Sequence, residues 1–350
     1  MEALGALGEP SHLGFPTFTG MTKFELRTLG DQILVGYKVS MEEAQAIAAL
    51  PDEMLWELMA IADRVRHHFK GDRVHTCAIL NGKSGKCSED CAYCSQSHVA
   101  TTDAPIYGLM SKEQMQEAAM AAYRGGADRF AVVTSGRALP SAQVSQIAEA
   151  IAGLPQEEQK THWCSSLGIL AEPELRVLYA AGVTRFHHNL ETARSHYPNI
   201  CTTHTYDERI ATIRAAQRVG MSVCSGGIFG LGETDAQAAE FALELRDLNV
   251  DSVPINFLIP IPGTRLHAQN LPRISPRRCL KLIALFRLVL PSQDILICGG
   301  RVDNLGELHP LVLCAGANGI MTGNYLTRDG RTPAHDRALL EAMGRVHGLQ

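Results

Sequence analysis

Eight short runs rich in β-branched and other apolar residues recur along the chain, with amphipathic stretches between them. The runs are RVHTCAIL, DRFAVVTS, THWCSSLG, VTRFHHNL, MSVCSGGI, DSVPINFL, DILICGG and ANGIMTG. The stretches between them, such as TYDERIATIRAAQRVG, have the helical period, and several end in Gly, which favours a left-handed helix C-cap. Eight such units, each of roughly 30 to 40 residues, predict an α/β fold, the parallel (β/α)8 TIM barrel. An open doubly wound sheet is the alternative, but no GxGxxG turn follows the first run.

Helical segments flank the predicted barrel. Residues 1–70 read as a polar, helical N-terminal extension, in which SMEEAQ places Glu43 three residues after Ser40, the pattern of a capping box. The barrel is expected over residues 71–330, and residues 331–350 are expected to form a C-terminal helix. We therefore predict one barrel domain with a helical addition at each end.

Charge and hydropathy exclude several classes of partner. The formal net charge is -5, and no run of basic residues is present, so we expect no nucleic acid or anionic membrane as a partner. No stretch of about 18 uninterrupted apolar residues occurs, and the first residues, MEALGALGEPSHLGF, lack the pattern of a secretory signal. We expect a cytoplasmic protein that does not enter membranes.

Three of the ten cysteines lie close together in the segment KCSEDCAYCSQS: Cys87, Cys91 and Cys94. In a cytoplasmic chain, cysteines at such spacing favour a metal site over disulfides. A structural zinc site needs four ligands, and His98 could supply the fourth. A [4Fe-4S] cluster held by three thiolates instead leaves one iron open to the amino and carboxylate groups of a small molecule. The missing fourth cysteine then marks a binding site.

Three further cysteines, Cys77, Cys164 and Cys224, fall in the first, third and fifth strand runs. Alternate strands of a barrel contribute the side chains of one interior layer, so these thiols could form a second metal site. The alternative is that they are small buried hydrophobic residues. Cys279 and Cys314 lie on apolar helical faces, where core packing is the expected role.

The motifs resemble those of a known family. CxxxCxxC after the first strand of a barrel, with Tyr93 just before the last cysteine, resembles the radical S-adenosylmethionine (SAM) enzymes. More narrowly, HHNLET, CTTHTYDER, VCSGGIFGLGET, SVPINFL and AGAN, in this order, resemble the biotin synthase family over about residues 40 to 330. The resemblance implies insertion of sulfur into dethiobiotin to make biotin. It also implies a [4Fe-4S] cluster with SAM and a second, auxiliary iron–sulfur cluster that supplies the sulfur.

The resemblance also assigns roles to residues. The expected SAM-binding residues are Tyr93, Asn189, Glu191, Arg209 and Ile228, with backbone of Gly227 and Gly230. The expected dethiobiotin-binding residues are Asn189, Asn256 and His187. The family more often has Asp in place of Glu191. Taken singly, Asn256 could satisfy loop backbone and Arg209 could be a solvated helix residue. Because adjacent strand residues point to opposite faces, at most one of His187 and His188 should face inward.

The sequence departs from the family at the auxiliary cluster. Better-known members hold a [2Fe-2S] cluster with three cysteines and one arginine, and two of those cysteines match Cys164 and Cys224. The other two positions are Ala131 and Leu296, which cannot ligate iron. We expect Cys77 to replace them, with Cys201 and Cys298 in reserve as a fourth ligand. The expected metal ligands are thus Cys87, Cys91 and Cys94 for one cluster and Cys77, Cys164 and Cys224 for the other.

Two other functions compete with this interpretation. One is another barrel radical SAM activity, of the hydrogenase-maturation or methylornithine-forming type, because these enzymes share the loop and the fold. The other is a non-catalytic metal-binding scaffold, which would need neither Arg209 nor an open iron. We also expect a flavodoxin- or ferredoxin-type electron donor and a homodimer.

Overall fold

The computed structural model describes residues 21–154, 162–326 and 330–348. Residues 1–20 of the expected N-terminal extension, including the segment with no secretory signal pattern, lie outside these ranges, as do residues 349–350 of the expected C-terminal helix. In the described part of the chain, no helix is long and apolar enough to cross a membrane.

The parallel barrel predicted from the sequence is confirmed. Each of the eight predicted runs contains a strand, and the fifth run contains two short ones. The barrel strands are β1 (Arg73–Lys83), β2 (Arg129–Thr134), β3 (His162–Ser166), β4 (Val183–His187), β5 (Ser222–Cys224), β6 (Gly227–Phe229), β7 (Ser252–Phe257), β8 (Asp294–Ile297) and β9 (Gly319–Met321). All pairings are parallel, and β1 pairs with both β2 and β9, which closes the sheet.

The interruption between β5 and β6 has a steric cause. A Cβ atom on Gly226 would lie 2.1 Å from the backbone oxygen of Pro254 in β7. The two backbones therefore approach more closely than any side chain allows, and only glycine fits. β5 pairs with β4 and β7, whereas β6 pairs with β7 and forms a bridge to Glu191 after β4. The wall of the barrel at this point consists of backbone.

Helices surround the barrel, and those at the N-terminal end of the chain pack against the outer helices. They are α1 (Lys23–Leu34), α2 (Met41–Ala48), α3 (Leu55–Lys70), α4 (Lys112–Arg124), α5 (Ser141–Ala152), α6 (Glu172–Ala180), α7 (Tyr206–Val219), α8 (Asp235–Asp247), α9 (Arg265–Ala268), α10 (Pro276–Val289), α11 (Arg301–Leu305) and α12 (Pro333–Ala342). α3 packs against α1 and α10, and α2 packs against α8. A two-residue strand, β10 (Val346–His347), pairs with the start of β1.

Three local predictions from the sequence are confirmed. Ser40 and Glu43 form the predicted capping box at the start of α2, in which each side chain accepts a hydrogen bond from the other residue's backbone N–H. Gly220 ends α7 with φ of 92°, the left-handed C-cap that glycine adopts without strain. Cys279 is buried in the apolar core, and Cys314 packs against it, as expected for packing residues.

Candidate active site

One cavity of about 440 Å³ lies inside the barrel and extends to the loops that follow the strands. The C-terminal ends of the strands form its upper part, which is where barrels of this type place their chemistry. The side chains predicted to bind metal, SAM or substrate contribute to its wall: Cys77, Cys87, Cys91, Tyr93, Cys94, Cys164, His187, Asn189, Glu191, Arg209, Cys224, Ile228 and Asn256. Gly227 and Gly230, predicted to bind SAM through their backbone, do not line it. Residues that are distant in sequence therefore share one space.

The cysteine loop turns sharply out of β1. Gly85 and Lys86 both have left-handed backbone, with φ of 73° and 50°. A Cβ atom on Gly85 would lie 2.7 Å from Ile106, so glycine is required there for space as well as for conformation. Within the loop, the Cys87 N–H donates to the Gln96 carbonyl (3.3 Å), and the Cys94 N–H donates to the Cys91 carbonyl (3.1 Å). These bonds hold the three thiols at the rim of the cavity.

A buried carboxylate fastens this loop to the segment after β4. Asp90 accepts hydrogen bonds from the backbone N–H (2.9 Å) and the hydroxyl (2.6 Å) of Thr202. Burial raises the pKa of Asp90, but these hydrogen bonds outweigh it and hold the pKa well below its usual value. Asp90 is therefore an anion that ties the cysteine loop to the rest of the barrel.

The spacing of the three loop sulfurs suits a cluster better than a single metal ion. Thiolates on one zinc ion lie about 2.3 Å from it and hence within about 4 Å of one another. Among the described residues, the only His, Cys, Asp and Glu ligand atoms that lie as a group within 4.8 Å of each other are those of Cys91, Cys201 and His204. Cys87 and Cys94 stand apart from that group, and His98 is exposed. The loop can therefore hold a larger, multi-iron group.

Cys201 lies at the rim of the cavity, beside the loop cysteines. Its sulfur is 3.8 Å from that of Cys91 and 3.4 Å from Nδ1 of His204. His204 in turn contacts Glu89 at 2.5 Å. Contact with Cys91, and then with His204, lowers the pKa of Cys201. The expectation that Cys201 could complete a site with Cys164 and Cys224 is wrong, because β4 and the chain after it carry Cys201 up to Cys91.

Arg209 organises the middle of the cavity wall. It lies in the first turn of α7 and is buried. Its Nε donates to the hydroxyl of Tyr197 (2.9 Å), and its Nη1 donates to the carbonyl of Asn189 (2.7 Å) and lies 3.6 Å from Glu191. Within the described part of the chain, no acceptor contacts Nη2. Arg209 is thus a fixed cation at the wall and not a solvated helix residue.

Glu191 has a strained backbone that positions its side chain. Its φ is 74°, a left-handed conformation that residues other than Gly, Asn and Asp adopt rarely. The Glu191 carbonyl accepts a hydrogen bond from the Ile228 N–H (2.8 Å), and a Cβ atom on Gly227 would lie 2.1 Å from that carbonyl oxygen. The side chain reaches back to Asn189 Nδ2 (3.3 Å) and towards Arg209. This turn therefore directs the Glu191 carboxylate to Asn189 and Arg209.

Tyr93 and Ile228 form an apolar section of the rim. Both are partly buried and pack against a small core that consists of Ala92, Ile200, Leu231 and Leu266. Burial raises the pKa of Tyr93 well above its usual value, so its ring stays neutral. This section offers a flat apolar surface next to the charged group around Arg209.

The side chains of the two predicted asparagines are held by hydrogen bonds to the backbone and keep part of their hydrogen-bonding capacity. Asn189 Oδ1 accepts from the Gly226 N–H (3.1 Å). Asn256 donates from Nδ2 to the Gly227 carbonyl (3.1 Å) and accepts at Oδ1 from the Gly299 N–H (2.9 Å). An amide side chain has two donor hydrogens and two acceptor lone pairs, so Asn256 keeps one of each. Asn256 does form hydrogen bonds with loop backbone, and its remaining donor and acceptor can still bind a ligand.

Both histidines of HHNLET contribute to the cavity wall, but their rings have different neighbours. His188 stacks on the buried ring of Phe186, with 6.2 Å between ring centroids, which agrees with the expectation that at most one of the two rings faces inward. His187 Nδ1 lies 3.4 Å from the Cys224 sulfur. Burial lowers the pKa of both rings, which are therefore neutral. His187 links the middle of the cavity to its lower part.

The strand cysteines form the lower part of the cavity. Cys77, Cys164, Cys224 and also Cys298 line it, together with Ala131 and Leu296. Burial raises the pKa of Cys77 to about 12 and also raises the pKa of Cys164 and Cys224. Such thiols stay protonated unless a metal binds them. Ala131 and Leu296, the two positions at which the family resemblance predicts a ligand of the auxiliary cluster, lie in this same layer.

Sequence reasoning missed two arginines in this layer, Arg129 and Arg185. Arg129 opens β2 two residues before Ala131, and Arg185 lies on β4 two residues before His187. The two-residue period of a strand, applied to these neighbours, would have placed both side chains inward. A charged residue in a strand run is otherwise read as solvent-exposed.

Solved structures share this fold at low identity. Methylornithine synthase superposes with a TM-score of 0.75 at 21% identity, over 92% of this chain and 97% of that one. HydG, the FeFe-hydrogenase maturase from Carboxydothermus hydrogenoformans, superposes with a TM-score of 0.76 at 18% identity, over 93% and 79% of the two chains. These similarities support the barrel fold alone.

Closer similarity is found in sequence comparisons. The Radical SAM superfamily model matches residues 83–257, and the Biotin and Thiamin Synthesis associated domain matches residues 254–346. Biotin synthase of Desulfatibacillum aliphaticivorans is 51% identical over 309 residues, which cover 88% of this chain and 93% of the relative. Biotin synthase of Geotalea daltonii is 45% identical over 320 residues, which cover 91% and 96%. The chain belongs to the biotin synthase family of the radical SAM superfamily.

Proposed function

We propose that this enzyme converts dethiobiotin to biotin by radical-based sulfur insertion, with SAM and a [4Fe-4S] cluster. The observation that carries the proposal is the order of residues in one cavity. Three loop cysteines lie at the rim, polar and charged groups suited to small molecules lie in the middle, and strand cysteines lie below. A molecule bound in the middle would contact the groups above and below it.

The rim residues would hold the first cluster. Cys87, Cys91 and Cys94 would ligate three of its irons, and the fourth would remain open to the amino and carboxylate groups of SAM. When bound, this cluster and SAM supply a 5'-deoxyadenosyl radical that takes hydrogen from unactivated carbon atoms of dethiobiotin. The chain's own contribution is to bind both molecules, orient them and exclude water from the barrel.

The groups around Arg209 would bind SAM. Nη2 of Arg209 would donate to the SAM carboxylate, since the other nitrogens of the guanidinium already hold the wall together. Asn189 and Glu191 would bind the ribose hydroxyls. The carboxylate of Glu191 accepts hydrogen bonds from hydroxyl groups, and the amide of Asn189 can accept or donate them. The apolar section formed by Tyr93 and Ile228 would lie against the adenine.

Asn189, Asn256 and His187 would bind dethiobiotin. Its ureido ring has N–H donors and a carbonyl acceptor, which match the donor and acceptor capacity that Asn256 keeps. His187, neutral and next to Cys224, would face the substrate from below. The reacting carbon atoms would then lie between the rim cysteines and the strand cysteines.

We further propose that Cys77, Cys164 and Cys224 ligate the auxiliary cluster that donates sulfur. Their positions in one layer, and the absence of a ligating side chain at Ala131 and Leu296, support a cluster with three thiolates. Cys298, in the same layer, is the remaining thiol that could serve as a fourth ligand. When held by these thiols, such a cluster would supply the sulfur atom for insertion.

The remaining parts of the proposal concern partners and organisation. A flavodoxin- or ferredoxin-type donor would deliver electrons to the rim cluster, and the enzyme would act as a homodimer in the cytoplasm. Residues 1–70, 71–330 and 331–350 would form the extension, the barrel domain and the C-terminal segment.

The test is anaerobic purification followed by reconstitution with iron and sulfide. We expect about eight irons per chain, four for each cubane cluster, and formation of biotin from dethiobiotin with SAM and a reductant. Zinc without iron would support the scaffold alternative. Cleavage of SAM without any biotin, in protein with full iron content, would point to a different radical SAM activity.

A further inference from the structure

Two guanidinium groups lie at the lower end of the cavity, in the same layer as the strand cysteines. Arg129 pairs in register with Cys77 of β1, and Arg185 pairs in register with Cys164 of β3. Both arginines contribute to the cavity wall. Arg185 is 6% exposed, so its charge is removed from bulk water.

The protein supplies too little negative charge for this pair. In the part of the chain that the structure describes, no carboxylate forms an ion pair with Arg129, and its Nε is buried without an acceptor. Arg185 lies 3.7 Å from Asp294, but Asp294 also pairs with Lys70 at 2.9 Å. The other contact of Arg185 is the neutral hydroxyl of Ser222, at 3.0 Å. Buried charges without partners are costly, which indicates that an anion belongs in this space.

The two guanidiniums share the lower part of the cavity wall with all three strand cysteines, Cys77, Cys164 and Cys224. Arg185 in turn adds to the effect of burial in lowering the pKa of Arg129, because the two cations repel each other. An anion among the three sulfurs would relieve this repulsion and the desolvation cost together.

We propose that Arg129 and Arg185 form an anion site for the auxiliary cluster, in which they balance the net negative charge of the thiolate-bound iron–sulfur unit and raise its reduction potential. The inference rests on the proposed auxiliary cluster. Net charge and hydrogen bonds to sulfur are the main protein influences on the potential of such clusters. Two nearby cations favour the reduced, more negative form. The pair thereby sets how readily this cluster accepts electrons during sulfur transfer.

The carboxylate of dethiobiotin is the other anion that could reach this space. The strand register favours the cluster over the dethiobiotin carboxylate as the anion. Each arginine is paired with a proposed cysteine ligand on the neighbouring strand. A guanidinium pair that served the substrate would change the affinity for dethiobiotin and leave the metal centre unaffected. The two sources are therefore separable by experiment.

The experiment uses the full chain with Cys87, Cys91 and Cys94 all replaced by Ala, so that only the auxiliary cluster is present. Arg129→Gln and Arg185→Gln are made in this background, with Arg185→Lys as the charge-conserving variant. Arg176→Gln, on the exposed surface of α6, is the matched control. Iron and acid-labile sulfide are measured after anaerobic reconstitution, and the midpoint potential is measured by redox titration with electron paramagnetic resonance.

We expect each Gln variant to make cluster reduction about tenfold less favourable, which is a shift of about 59 mV to lower potential for one electron. The double Gln variant should lose most of its iron, whereas Arg185→Lys and Arg176→Gln should match the parent. Parent-like potential and iron content in both Gln variants would overturn the arginine site, as would a change confined to dethiobiotin affinity in the otherwise intact enzyme. A folded background protein without any iron would overturn the auxiliary cluster and the arginine site together.

Discussion

Arg209→Lys tests the middle of the cavity most directly, because one side chain there holds several others. The guanidinium donates to Tyr197 and to the Asn189 carbonyl and lies beside Glu191. A lysine ammonium is a compact charge on a flexible stem and cannot form these contacts in the same plane. We expect the variant to fold but to bind SAM more weakly.

The magnitude follows from the contacts. A hydrogen bond with a charged partner contributes about 1.5–3 kcal/mol. The single nitrogen of lysine cannot both hold the wall, as Nε and Nη1 do at 2.9 and 2.7 Å, and reach the SAM carboxylate in place of Nη2, so one charged hydrogen bond to SAM is lost at about that cost. With 1.4 kcal/mol for each factor of ten, the Kd for SAM should rise about 10- to 100-fold. The kcat for 5'-deoxyadenosine formation at saturating SAM should change less.

The assay is equilibrium binding of SAM to reconstituted protein under anaerobic conditions, together with the iron content and Tm of each variant. Arg194→Lys is the matched control, because Arg194 lies near the same end of α7 but pairs with Asp207 at the surface. A Kd for Arg209→Lys within threefold of the parent, at normal iron content, would refute the role of Arg209 in binding SAM.

Three further predictions concern the rim, the lower layer and the wall. Replacing any one of the loop cysteines by Ala should abolish SAM cleavage, and undiminished 5'-deoxyadenosine would contradict the ligand assignment of Cys87, Cys91 and Cys94. Cys77→Ser should leave SAM cleavage measurable but stop biotin formation, since a hydroxyl is a poor ligand for iron–sulfur clusters; biotin formation at the parent rate would exclude Cys77 as a ligand. Gly227→Ala should lower Tm and SAM affinity together, because the new Cβ would lie 2.1 Å from the Glu191 carbonyl; a variant with parent Tm and affinity would show that this turn can move freely.

Much of this architecture could be predicted from sequence because its signals are local and periodic. The strand runs alternate with helices in a way that only a few folds accommodate, and Ser40 and Glu43 form a cap through residues three positions apart. Most residues inferred from motif resemblance line the same cavity, because motifs that follow successive parallel strands meet at one end of a barrel.

The features that sequence could not supply depend on contacts between distant segments. Cys201 lies against Cys91, which is 110 residues earlier, and nothing in CTTH distinguishes that contact from one with the lower cysteines. The break between β5 and β6 arises from the close approach of Gly226 to Pro254, which is a property of two backbones. Arg185 carries a charge, which is typical of an exposed residue, whereas its position two residues before His187 in the two-residue period of the strand places it inside.

One group of cysteines lies on strands and the other on a loop, so the two ends of the cavity differ in rigidity. Cys77, Cys164 and Cys224 lie on strands that are hydrogen-bonded to neighbours on both sides, so they cannot separate without breaking the closed sheet. Cys87, Cys91 and Cys94 lie on a loop without strand pairing, which is held by a few hydrogen bonds such as those between Asp90 and Thr202. The lower part of the cavity, which the strand cysteines form, should keep its shape when an atom is removed, because close-packed side chains resist deformation. If the proposed auxiliary cluster is held by these three cysteines, the loss of one of its sulfur atoms would leave a gap of fixed shape, which a new sulfur atom could fill without a change in the barrel around it.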